Sequence, residues 1–372
     1  MDHYKQYCDI RLRTAPYRKS DDPDCIRAVA AIDALANRAK DIAEGCNPAG
    51  RFGWAGNDFT HDSLMERAYE HLEALERGEQ PLRGQFAEPG GSLIDHSFIE
   101  KDGVLHLFYN RGYIGYLWDQ RFVDSIGHAT TTDLLHWDIH PPVLTAEAGG
   151  HDDYQVWSPA VVEHDGRYWM FYTGVNFHVA QAIMLAVSDD LYHWEKVSRQ
   201  PVWTAGDWCG WDAGKWSDCR DSMIFKDDDG TFYMYYCSTY PAEDGTRRAC
   251  VGAASSRDLI HWQEEGFITV PNLRSNAESP YVMKKDGKYY LFYTNCGFGT
   301  CYAVSDYPLK GWTVLPDDKN FLVATCCTEV FSYGGKWYLS LATYRGRGEQ
   351  YLEIAECIWQ EDGTISMGDF LR

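Results

Sequence analysis

The chain has 372 residues, 45% of them hydrophobic and 15% aromatic, enough for one large domain with an appendage or for two domains of ordinary size. Its 55 acidic residues outnumber 34 basic ones and leave a formal net charge of −21. That balance excludes a nucleic-acid partner, because phosphate backbones are met by basic surfaces, and it reads as a solubilising surface.

In chain order, residues 1–90 differ in kind from the rest. The first residues lack the apolar segment of a secretory signal, so a cytoplasmic protein is expected. Asp24 to Ala43 carries Ile26, Val29, Ile32, Leu35, Ala39 and Ile42 at helical spacing. A loop over Gly50–Asn57 precedes a second helix, expected to start at Ser63, where Ser63 and Glu66 form a capping box, and to end at Gly78. This N-terminal helical extension is expected to pack on the following domain or on a second copy of the chain in a homodimer. No run of 18 apolar residues occurs anywhere, so no membrane partner is expected.

Residues 91–372 are built from a repeated unit. Each repeat opens on an apolar or acidic segment, turns at Asp-Gly or Gly-Gly, and continues into an aromatic strand such as Val104–Tyr109, Tyr168–Tyr172, Phe232–Tyr236 or Tyr289–Tyr293. A third strand rich in Ala and Ser follows, and then Asp-Leu-x-x-Trp at Asp133–Trp137, Asp190–Trp194 and Asp258–Trp262; a fourth unit ends on Trp312, and the fifth is weaker. Asp-Gly between apolar runs is a hairpin signal, since a two-residue turn needs positive φ. Three to four strands per unit and five units predict an all-β fold, a five-bladed β-propeller, closed because an open stack would expose sheet edges. The twelve cysteines are scattered without a Cys-x-x-Cys pair, which favours free thiols and gives no zinc-ligand spacing; no metal or other cofactor is expected.

Three acids lie eight or nine residues before the turn glycine of their units: Asp95 before Gly103, Asp221 before Gly230 and Glu278 before Gly287. The other two units hold Trp157-Ser158 and Cys326-Cys327 there, so repeat geometry does not demand an acid. If the ring closes, the three carboxyl groups converge on its axis, as glycoside hydrolysis requires. Glu278 is expected to be the proton donor, held against apolar surroundings that keep it protonated. Asp95 would be the nucleophile or base, and Asp221 would grip sugar hydroxyls in the transition state. Trp157, Ser158 and Arg220 are expected to contact substrate. One of Trp118, Trp208 and Trp211 is a candidate for stacking on the sugar, whereas His96, His128 and His178 read as structural.

These motifs resemble the five-bladed propeller glycosidases of families 32, 43, 62 and 68. Gly127–Trp137, Cys219-Arg-Asp-Ser and Ala277-Glu-Ser-Pro are most similar to family 32, the invertases and fructanases. There the Asp of Arg-Asp-Pro stabilises the transition state, and the Glu of Glu-Cys-Pro is the acid/base; carried over, Asp95 matches the nucleophile. The resemblance implies a glycoside hydrolase acting on a small carbohydrate, β-fructofuranosides first. The alternatives are an inverting family 43 arabinofuranosidase or xylosidase, a fructosyl-transferring enzyme, and a sugar-binding propeller without catalysis. The chain departs from family 32 in lacking its Asn-Asp-Pro-Asn-Gly stretch and the proline after each acidic motif.

Overall fold

The computed structural model describes residues 3–44, 61–78, 85–86, 91–113, 123–271, 273, 276–296, 299–315, 320–345 and 349–371. Five four- or five-stranded antiparallel sheets follow one another along the chain, each starting with its innermost strand. Blade one consists of β3 (His96–Lys101), β4 (Val104–Tyr113), β5 (Val123–Thr131) and β6 (Asp138–Thr145), with β2 (Gly91–Ser92) extending beside β4. Blade two is β7 (Gln155–His164), β8 (Arg167–Val175), β9 (Gln181–Ser188) and β10 (Glu195–Lys196). Blade three is β11 (Arg220–Lys226), β12 (Phe232–Pro241), β13 (Arg247–Ser256) and β14 (Trp262–Ile268). Blade four is β15 (Ala277–Lys285), β16 (Lys288–Asn295), β17 (Gly299–Ser305) and β18 (Phe321–Val323). Blade five is β19 (Cys326–Tyr333), β20 (Lys336–Arg345), β21 (Glu349–Trp359) and β22 (Ile365–Phe370), and β1 (Gln85–Phe86) also pairs with β21.

The aromatic second strands are apolar on both faces because each blade is packed between two others. In β4, Leu105, Leu107 and Tyr109 join the core shared with blade five, while Phe108 joins the core shared with blade two. In β8, Met170 and Tyr172 face blade one and Phe171 faces blade three. In β12, Met234 and Tyr236 meet blade two and Tyr235 meets blade four. In β16, Leu291 and Tyr293 pack towards blade three, and Tyr290 and Phe292 towards blade five. Period-two alternation sends successive rings to opposite neighbours, and five such inter-blade cores close the circle.

Local chemistry fixes the corners. The inner hairpins turn on Asp102-Gly103, Asp165-Gly166, Asp286-Gly287 and Gly334-Gly335, all at positive φ. Blade three has a longer turn, closed by the Asp227 amide donating to the Thr231 carbonyl (2.8 Å). In the Asp-Leu-x-x-Trp turns, Leu134, Leu191 and Leu259 are buried at positive φ. Their amides donate to Thr131, Ser188 and Ser256 Oγ (2.9, 2.9 and 3.0 Å). The aspartates accept the next two amides and the imidazole N–H of His136, His193 or His261 (2.7 Å each).

The N-terminal extension forms α1 (His3–Thr14), α2 (Pro23–Ala43) and α3 (His61–Glu76). They share a core of their own around Ile10, Ile32, Leu35, Leu64 and Leu72. Helix α1 was not expected from the sequence: its mixed pattern buries Ile10 and leaves Leu12 exposed. Helix α3 begins at His61, two residues before the expected cap, so Ser63 lies inside its first turn. The Gly50–Asn57 loop and Trp118 lie outside the described residues. Eleven described cysteines are free thiols, and no helix among the described residues is long and apolar enough to cross a membrane.

Candidate active site

The inner strands begin on one face of the propeller, and in blades two to five a β-bulge interrupts each at its start. The register slips between Trp157 and Ala160, Arg220 and Met223, Glu278 and Tyr281, and Cys326 and Glu329. Within each bulge one residue takes a left-handed backbone: Ser158 (φ 45), Asp221 (56), Ser279 (48) and Cys327 (55). Such bulges re-aim side chains, here towards the axis. With Asp95 from blade one, these residues ring a cavity of about 180 Å³ that continues down the axis between the inner strands.

The bulges correct the sequence register. Asp95 and Asp221 stand at the same level, but the residue matching them in blade four is Ser279. Glu278 matches Arg220, Trp157 and Cys326, one residue nearer the open face. The longer turn of blade three hid this offset, because it adds residues between Asp221 and Gly230. The three acids are neighbours nevertheless, on two adjacent levels.

Hydrogen bonds lock the ring. Asp95 accepts from Asn110 Nδ2 at Oδ2 (2.7 Å) and from Ser279 Oγ at Oδ1 (2.7 Å). Asp221 accepts from Ser158 Oγ at Oδ1 (2.7 Å) and from the Ser279 amide at Oδ2 (3.2 Å). The Ser158 amide donates to Asn110 Oδ1. On the upper level the buried Arg220 guanidinium donates to Asp218 (2.7 Å), Gln181 (3.1 Å) and Glu278 Oε1 (2.6 Å), with its Nε 3.6 Å from Asp221. Cys296 Sγ donates to Glu278 Oε2 (2.9 Å). A buried cation is tolerable when its donors are matched in this way.

Electrostatics divides the acids. Burial, with the nearby charges of Asp95 and Glu278, pushes the Asp221 carboxyl up to about 7, against the opposing pull of Arg220. Burial acts upward on Glu278 too, but Arg220 and the Cys296 thiol outweigh it and hold that carboxyl below its usual range. The apolar surroundings expected around Glu278 are therefore replaced by a guanidinium, a thiol and the Asn276 amide (3.5 Å). Deeper in the channel, burial raises Glu329 to about 8.

Trp157 is half-buried and donates its indole N–H to Gln155 (3.1 Å), while Ser158 is buried against Asp221. His96 is buried and bonded to the Ile94 carbonyl and Ser340; burial lowers it to about 4. His128 stacks on Phe108 (4.6 Å), and His178 is exposed on a loop. Trp208 is bonded to Glu264 and Trp211 donates to the Gln181 carbonyl (2.7 Å). Trp216, which sequence reasoning passed over, is 44% exposed and donates to the same Asp218 oxygen that holds Arg220 (3.1 Å). Asn110, Ser279, Asp218 and Cys296 were likewise missed: Asn110 and Ser279 reach residues of other blades, while Asp218 and Cys296 act beside Arg220 and Glu278 within blades three and four. Among the described residues no group of three or more His, Cys, Asp or Glu side chains is placed to hold a metal ion.

Comparison with known proteins turns on one match. The sequence model of glycosyl hydrolases family 43 matches residues 108–312, more than half of the chain. The chain belongs to glycosyl hydrolases family 43. The family 32 likeness has its counterpart in the relatives of this family 43 chain: the beta-fructofuranosidase, insoluble isoenzyme CWINV3, of Arabidopsis thaliana is 28% identical over 191 residues. That alignment covers 50% of this chain but only 30% of the plant protein. A beta-xylosidase of Xylanibacter ruminicola is 23% identical over 300 residues, 69% of this chain and 89% of its own. Among solved structures, the GH43_1 enzyme of Xanthomonas citri superposes with a TM-score of 0.61 at 19% identity, covering 79% of this chain and 96% of that one. An alpha-L-arabinofuranosidase of Clostridium thermocellum gives 0.56 at 20%, covering 75% and 95%. At these identities the structural likeness is one of fold.

Proposed function

We propose that this family 43 chain hydrolyses glycosidic bonds of small furanosides or xylosides, with inversion at the anomeric carbon. The observation that carries this reading is the meeting of three acids at the mouth of the axial cavity, with Asp221 and Glu278 against one buried guanidinium and Asp95 tied to Asp221 through Ser279. In this reading Asp95, clamped by two donors, takes a proton from a water molecule while the water oxygen bonds to the anomeric carbon. The bond from that carbon to the leaving oxygen breaks, and Glu278 protonates the departing oxygen.

Asp218, Asp221 and Glu278 lie around one guanidinium, and burial raises the Asp221 carboxyl to about 7. Glu278 must hold a proton when the leaving group departs. Arg220 touches both Glu278 and Asp221, so in this reading Glu278 takes its proton from solvent at the open face while the guanidinium is drawn to the ionised Asp221. Asp221 thereby controls the protonation of the acid and lies where it would accept sugar hydroxyls. Trp157 and Trp216 flank this upper level as surfaces for the sugar.

Arabinofuranosides and xylosides are favoured by the family match and by the long alignment to the Xylanibacter xylosidase. A second reading, β-fructofuranoside hydrolysis, is favoured by the plant relative and by the Cys219–Ser222 and Ala277–Pro280 motifs. The test is turnover of 4-nitrophenyl α-L-arabinofuranoside, 4-nitrophenyl β-D-xyloside and sucrose, with the product anomer followed by proton NMR. Glu278→Gln is expected to lower kcat by about 10²–10⁴-fold with near-ultraviolet circular dichroism unchanged. Full activity in that variant removes Glu278 from the acid role, and binding without turnover by the parent chain favours a sugar-binding propeller.

A further inference from the structure

The ring positions carry a conformational cost that glycine would avoid. Ser158, Asp221, Ser279 and Cys327 all hold φ between 45 and 56, where an L side chain is strained. Strain kept at four matching positions points to work done by the side chains. For Ser279 that work is on the page. Its hydroxyl donates to Asp95 Oδ1 at 2.7 Å and its amide donates to Asp221 Oδ2 at 3.2 Å, so one residue ties the two aspartates together. The hydroxyl has a single proton, which goes to the carboxylate; the Cys327 thiol, 3.3 Å away, is then the donor to Ser279 Oγ.

On the other side Asn110 closes the circuit. Its Nδ2 donates to Asp95 Oδ2, and its Oδ1 accepts the Ser158 amide, whose hydroxyl returns to Asp221. Both oxygens of both aspartates are thus engaged in one closed loop, Asp95–Ser279–Asp221–Ser158–Asn110. We propose that Ser279 and Asn110 are positioning residues that fix the rotation of the Asp95 carboxylate and couple it to Asp221. This rests on the reading of Asp95 as the group that activates water. A carboxylate with one donor on each oxygen cannot rotate about its Cβ–Cγ bond, so its remaining lone pairs point to one place. The charged and titratable groups facing this loop are Glu278 and Arg220 on the level above, Cys237 beside Asp221, Cys326 and Cys327 in blade five and His96 behind Asp95.

Ser279→Gly separates the hydroxyl from the backbone. Glycine keeps the amide that donates to Asp221 and accepts φ 48 without strain, so the losses are the bond to Asp95 and the weaker contact with the Cys327 thiol. With the most active of the three probe substrates, kcat is expected to fall about 10- to 100-fold with KM within about twofold. The acid limb of the kcat/KM profile is expected to move to higher pH, while Tm stays equal to that of the parent or rises. Ser279→Ala, which adds strain but removes the same hydroxyl, is expected to match the glycine variant in kcat with a lower Tm. Unchanged kcat in Ser279→Gly, or a loss that tracks Tm across the two variants, overturns the proposal. Asp95→Asn run alongside tells the two failures apart: full activity in it removes the assignment of Asp95, whereas an inactive Asp95→Asn beside a fully active Ser279→Gly removes only the positioning role.

Discussion

Asp221 is a buried carboxyl whose two oxygens are already occupied and whose neighbours are two further carboxyl groups. Its folded-state value of about 7 lies above the ordinary 3.8, so between about pH 4 and 7 the folded protein binds more protons at this site than the unfolded chain. Stability attributable to this residue is therefore present at low pH and lost as pH rises through 7. Asn fits the same place, with its carbonyl accepting the Ser279 amide and its NH₂ donating to Ser158 Oγ. Asp221→Asn is expected to raise Tm by several degrees at pH 8 and by much less at pH 4, while abolishing turnover. A difference independent of pH, read by calorimetry at both values, contradicts the assignment. The strain at Ser158, Ser279 and Cys327 belongs to the same scale: the repeat placed Ser158 and Cys327 level with the acids, but nothing in the sequence showed a left-handed backbone at any of the three. Their meaning comes from a bulge that turns a strand residue towards the axis.

Among the elements, the Asp-Leu-x-x-Trp motif was legible as a repeated segment ahead of the outer strand, and its turn geometry, though local, came from the structure. Asp258 accepts the Ile260 and His261 amides, the His261 ring N–H and the Ser256 hydroxyl, and so holds Leu259 in a left-handed conformation with its side chain in the core. Replacing Asp258 by Ala is expected to cost about 1–2 kcal/mol in urea unfolding, with kcat and KM unchanged, since the turn lies on the outer side of blade three. An unchanged midpoint would show that the Ser256 hydroxyl alone sustains the turn. The inner strands were legible as strands but not in register. Counting back from the turn glycine placed Glu278 level with Asp95 and Asp221, and the five-residue turn of blade three displaced the count by one. Helix α1 escaped notice because its burial depends on the faces that α2 and α3 present, which its own pattern does not encode.

At the scale of the whole molecule, the ring is joined where its two ends meet. The short strand Gln85–Phe86 pairs with Glu353 and Leu352 of β21, and Phe86 packs on Tyr109 (5.0 Å) and Trp137 (5.3 Å) of blade one. A residue ahead of the first blade thus binds blade five to blade one. Phe86→Ala is expected to cost about 3–5 kcal/mol, seen as a lower denaturant midpoint, with loss of activity following unfolding rather than preceding it. A shift below about 1 kcal/mol would mean that the other apolar residues of that seam close the ring unaided. The sequence by itself determined the number of blades, their aromatic strands and the corners between them, because period-two alternation and turn chemistry act over a few residues. It also marked Asp95, Asp221 and Glu278 as acids that the repeat does not require. Only the tertiary structure decided which residues stand level at the axis, that Arg220 rather than an apolar wall adjoins Glu278, and that Asn110 and Ser279 hold the aspartates. Those facts depend on bulges and on contacts between blades far apart in the chain, where burial and Coulomb interactions are set by neighbours that no local pattern names.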